Sequence, residues 1–135
     1  MKLERLTPIL NVSNIQESFA WFEKVGWMKG WDWGDPPTFG GVSSGECEIF
    51  LCQGGQGSRG GPLPRHLQDG DDTGGVWMSW WLDSPSEVDA AYQRAVQQGL
   101  TVLTEPTDEP WNVREFHPMH PDGHTFRVSA SLEES

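Results

Sequence analysis

Apolar positions recur with period two in some stretches of the chain and every three to four residues in others, and the changes of rhythm mark out the elements. Residues 5–12 predict a strand. Pro8, Leu10 and Val12 fall on one face, and Thr7, Ile9 and Asn11 on the other. Pro8 has no amide hydrogen, which suits an edge or a position without a ladder bond. Ser13 or Asn14 can then cap a helix whose stripe is Ile15, Phe19 and Phe22, with Gly26 closing it. Residues 27–43 read as two strands around Gly34-Asp35-Pro36-Pro37. Residues 46–53 read as another strand, with Ile49 and Leu51 on one face and Glu48, Phe50 and Cys52 on the other.

Residues 54–75 break the rhythm. Eight of these 22 residues are glycine, so the stretch predicts a long connection. Residues 76–82 resume as a strand, with Val76, Met78, Trp80 and Leu82 on one face and Trp77, Ser79 and Trp81 on the other. Asp83 or Ser84 caps a helix with Pro85 in its first turn, the stripe Val88, Ala91, Tyr92 and Ala95, and Gly99 at its end. A short strand over 100–104 and a turn over 105–110 lead to a hairpin over 110–128, built on Val113, Phe116, Phe126 and Val128 around Pro121-Asp122-Gly123. Strand, cap, helix and glycine therefore occur twice, about 70 residues apart, each time followed by about three strands. Such an internal repeat predicts an α+β fold of two βαβββ modules: module one about 1–53, a connection 54–75 and module two about 76–130, within a single domain of 135 residues.

Composition narrows the partners. A net charge of −11 disfavours nucleic acid and anionic membranes and favours a cationic ligand. No apolar run resembles a signal peptide or reaches the roughly 20 residues of a membrane span, so a cytoplasmic location is the default expectation. Cys47 and Cys52 sit on opposite faces of one strand and read as reduced packing residues. Eight tryptophans in so short a chain are more than a core needs. Trp21, Trp27 and Trp80 are expected to pack against the helices.

The closing stretch, with Trp111, Arg114, Glu115, Phe116 and Pro121-Asp122-Gly123, resembles the last hairpin of the vicinal oxygen chelate superfamily. That superfamily includes glyoxalase I, extradiol dioxygenases and bleomycin-resistance proteins. Asn112-Val113 replaces the glycine usual after the tryptophan, and His120 stands where an aspartate is usual. The two-module plan extends the resemblance over nearly the whole chain, nearest to the bleomycin-resistance-like branch. It implies curved mixed sheets around a groove. It also implies a homodimer, since members commonly build each groove from modules of two chains.

Metal-dependent members carry ligands at inward positions on the first and last strand of each module. The matching positions here are Thr7, then Phe50 (or Glu48 with a shift of two), Trp77 and Arg127. An arginine cannot ligate a cation. The resemblance therefore implies a protein without metal or other cofactor that sequesters a small planar aromatic, favourably cationic, antibiotic or metabolite. The expected ligand-binding residues are Trp33, Phe50, Trp77, Ser79, Trp81, Trp111, Arg114 and Phe116, with Trp31 possible beside Trp33. His117, His120 and His124, with Glu48, are the weaker metal candidates. The alternative is a lyase, isomerase or dioxygenase-type enzyme of the same superfamily.

Overall fold

The computed structural model describes residues 1–60 and 75–132. The chain forms two compact units, Met1–Arg59 and Gly60–Ser135. The first contains β1 (Ile9–Val12), α1 (Ile15–Lys24), β2 (Met28–Gly34), β3 (Pro37–Ser44) and β4 (Cys47–Gln53). The second contains β5 (Trp77–Trp81), α2 (Pro85–Gln97), β6 (Val102–Glu109), β7 (Val113–Pro118) and β8 (Thr125–Ser131). The sheets are ordered β1-β4-β3-β2 and β5-β8-β7-β6. In each, the first strand pairs parallel with the last and the other neighbours are antiparallel. The βαβββ plan thus appears twice, in an α+β fold.

Local chemistry explains the helix boundaries. Asn14 caps α1, its Oδ1 accepting from Glu17 N at 3.1 Å. Ser84 caps α2, and the Glu87 carboxylate accepts in return from Asp83 N at 3.0 Å. Gly26 and Gly99 follow the helices with positive φ.

In the first unit the core lies between α1 and one sheet face. α1 packs on β3 and β4, and its Ile15, Phe19 and Phe22 are buried, as are Leu10, Val12, Val42, Ile49 and Leu51 of the sheet. In the second, Val88 and Ala95 of α2 pack on Phe116, Val128 and Ala130, with Trp80 against the same cluster.

The expected boundaries need two corrections. β1 starts at Ile9 rather than at residue 5, although Pro8 O still accepts from Phe50 N at 2.9 Å. β6 runs on to Glu109, through residues read as a turn. Its pairing with β7 shifts register between Thr104 and Thr107. The irregularity spans Pro106, which has no amide hydrogen for a ladder bond. The turn sits instead at 110–112, with Asn112 at φ 64°. Most of the glycine-rich connection, residues 61–74, lies outside the described residues.

Candidate functional site

Strand parity assigns each side chain to a face, and contacts with the helix fix which face that is. In the first unit, Gly40 and Gly41 divide the aromatic residues. A Cβ on Gly40 would lie 2.6 Å from Phe19 Cζ, so Gly40 faces α1. A Cβ on Gly41 would lie 2.5 Å from Trp31 Nε1, so the Trp31 indole lies over Gly41 on the other face. Trp31, Phe39 and Phe50 form a triangle of edge-to-face rings there, with centroids 5.3–5.6 Å apart. Trp31 Nε1 donates to Glu48 Oε2 at 3.0 Å. Trp33 pairs opposite Phe39 and remains 70% exposed. A register shift between Lys29 and Trp31 lets these two odd positions take opposite faces: Lys29 lies over the Phe19 ring, Trp31 away from it.

In the second unit, Trp80 stacks on Phe126 at 4.2 Å on the α2 side. Trp77, Ser79 and Trp81 therefore take the other face. Along β7, Glu115 and His117 share that face, and on β8 so does Arg127, which is paired in register with Ser79. Trp77 meets His117 edge-on at 5.6 Å. Trp111, in the 110–112 turn, donates from Nε1 to Glu115 Oε1 at 3.0 Å. Trp81 and Trp111 stay largely exposed.

Glu115 is the centre of this face, and sequence reasoning gave it no role. Its side chain is 1% exposed. Arg127 grips it with two bonds, Nε to Oε2 at 2.8 Å and Nη2 to Oε1 at 2.7 Å. His117 Nε2 lies 2.6 Å from Oε2. The Arg127 hydrogen bonds, ahead of those from His117 and Trp111, hold the Glu115 carboxyl down at about 2 against the opposing effect of burial. The signal in the sequence was an acid placed between Val113 and His117 at inward strand parity.

Two expected ligand-binding residues are not on this face. Arg114 and Phe116 alternate with Glu115 and His117, so they point to α2. Arg114 bonds Asp89 of α2 at 2.8 Å and Asp108 of β6 at 2.9 Å. It also borders a shallow cleft of about 370 Å³ with Asp89, Tyr92, Gln93, Glu105 and Pro106. Phe116 is buried in the α2 core, its ring edge-on to Tyr92 at 5.6 Å.

The donor set does not suit a metal. Arg127 is locked to Glu115, Trp77 offers no ligand atom, and Glu48 accepts from Trp31. Among the described residues, no three His, Cys, Asp or Glu side chains gather as a metal site. The histidine trio is split by its bonding. His120 Nδ1 accepts from Asp122 N at 3.0 Å and His124 Nδ1 from Val76 N at 3.1 Å, both rings buried, while His117 belongs to Glu115. Burial, then His124, push the His120 pKa down to about 4, so the ring is neutral and structural at neutral pH.

The architecture has close structural counterparts. A glyoxalase/bleomycin resistance protein/dioxygenase from Nocardioides is 20% identical, with a TM-score of 0.68 over 99% of this chain and 89% of that one. TioX from Micromonospora sp. ML1 is 16% identical, with a TM-score of 0.73 over 96% and 99%. A bleomycin-binding protein complexed with bleomycin is 13% identical, with a TM-score of 0.67 over 96% and 99%. At these identities the likeness establishes the fold. No curated protein sequence matches the chain. A family profile matches residues 2–128, nearly the whole length, and the chain belongs to the Glyoxalase/Bleomycin resistance protein/Dioxygenase superfamily.

Proposed function

We propose that the protein binds a planar aromatic small molecule without the help of a metal, in the manner of the bleomycin-resistance branch. The observation that carries this reading is the aromatic surface of the second unit. Trp77 and Trp111 lie beside the Glu115–Arg127 pair, Trp81 shares the Trp77 face of β5, and Arg127 stands where the resemblance leads one to expect a ligand in metal-dependent relatives. Indole rings give large, rigid stacking area, each stacked pair adding about 0.5–1.5 kcal/mol beyond burial. Trp31, Trp33 and Phe50 offer a similar surface on the first unit. The bleomycin-binding structural counterpart supports an antibiotic-sized ligand. The net charge of −11 would speed the approach of a cationic one. A homodimer in the cytoplasm completes the reading.

The test is quenching of tryptophan fluorescence by a panel of antibiotics and flavins. Saturable quenching by a planar compound, weakened in Trp77→Ala, is the expected result. Turnover of such a compound that a chelator abolishes would instead favour the enzyme reading.

A further inference from the structure

Each group that binds the Glu115 carboxylate is an indole of the aromatic face or touches one. Oε1 accepts from Trp111 Nε1 at 3.0 Å and from Arg127 Nη2 at 2.7 Å. Oε2 accepts from Arg127 Nε at 2.8 Å and lies 2.6 Å from His117 Nε2. A carboxylate offers about four lone-pair positions, and these contacts use them. With its side chain 1% exposed, Glu115 has nothing left to give a ligand directly. What it does reach are two indoles that lie far apart in the sequence. Trp111, 56% exposed in the 110–112 turn, is held at its N–H by Oε1, and its ring centroid lies 5.7 Å from the Arg127 guanidinium. Trp77, on β5, meets His117 edge-on. Trp81 shares that face of β5 but stands outside these contacts. An exposed indole in a turn can swing about its two side-chain torsions, and a ligand that must first order it loses affinity.

We propose that Glu115 is a positioning residue for this face. It presets the Trp111 indole directly and the Trp77 indole through His117, so that a planar ligand meets rings already in place. The ligand touches the indoles, and Glu115 acts only through them. Affinity therefore depends on a buried carboxylate that the ligand never contacts. The inference rests on the aromatic-binding reading and adds to it the residue that orders the binding surface.

The test joins the indole N–H resonances of protein labelled with ¹⁵N-tryptophan to quenching titrations with riboflavin or the compound of the panel that quenches most tightly. In Glu115→Leu, which removes both oxygens, the Trp111 N–H signal should move and exchange faster with water, while the Trp81 signal stays in place. Affinity should fall about tenfold, the scale of re-ordering flexible side chains on binding. On a Trp111→Ala background the same substitution should cost roughly threefold or less, because the ring it positions is already gone. Trp111→Phe leaves the Glu115–Arg127 pair intact and keeps the test available if Glu115→Leu does not fold. It should weaken quenching with the midpoint of thermal unfolding near the parent's. Unmoved Trp111 signals, or equal losses on both backgrounds, would overturn the inference and leave aromatic binding standing. So would Trp111→Phe binding as tightly as the parent. No saturable quenching of the parent by riboflavin or by the wider panel would overturn both.

Discussion

Glu115 and His120 are two buried titratable residues with opposite habits. Glu115 stays charged because Arg127 supplies two directed hydrogen bonds. Its carboxyl is depressed from 4.5 to about 2, so its contribution to stability is present above about pH 4.5 and is lost as the pH falls through 2. Glu115→Gln should destabilise the protein by about 1–3 kcal/mol at pH 7, the cost of leaving a polar partner poorly satisfied. The gap from the parent should shrink in urea titrations run towards pH 2, and a gap unchanged by acid would refute the assignment. His120 stays neutral because it is buried beside His124. Its pKa is depressed from 6.5 to about 4, so the stability tied to the neutral ring is full above pH 6.5 and is lost as pH drops through 4. His120→Asn keeps an acceptor for Asp122 N and should flatten the stability profile across that window.

Single strands divide core from surface chemistry by alternation alone. On β5, Trp80 stacks on Phe126 in the α2 core, while Trp77 and Trp81 take the other face. Trp80→Ala should lower stability by about 3–5 kcal/mol, as a core truncation does. Trp77→Ala should leave the midpoint of unfolding nearly unchanged and weaken ligand by roughly 1–3 kcal/mol. Calorimetry and quenching on the two variants check both, and the opposite pattern would reverse the parity. On β7 the same rule separates the expected site residues: Arg114 and Phe116 sit one step out of phase with Glu115 and His117, on the α2 side. β3 shows how a strand accommodates bulk on both sides. Gly40 makes room for Phe19 and Gly41 for Trp31. Gly41→Ala should push the Trp31 indole off the sheet, break its bond to Glu48, and shift Trp31 emission to the red.

For the whole molecule, metal content separates the superfamily's chemistries. Purified protein should carry no stoichiometric metal by elemental analysis, because Arg127 is bonded to Glu115 and Trp77 offers no ligand atom on this face. One tightly held zinc, nickel or iron per chain would refute this. The chain's own pattern determined the repeated βαβββ plan and the face of each tryptophan on β5, and it narrowed each helix cap to two adjacent residues, of which the structure uses Asn14 and Ser84. These follow from local periodicity and from residues a few positions apart. The length of β6 was not legible, because Pro106 reads as a breaker until a bulge opposite β7 absorbs it. Nor was the site's centre. Glu115 gains its meaning from Arg127 twelve residues away, from Trp111 in a turn and from His117 beside it. Only pairing of β7 with β8 brings the guanidinium to the carboxylate, and burial then makes that contact strong.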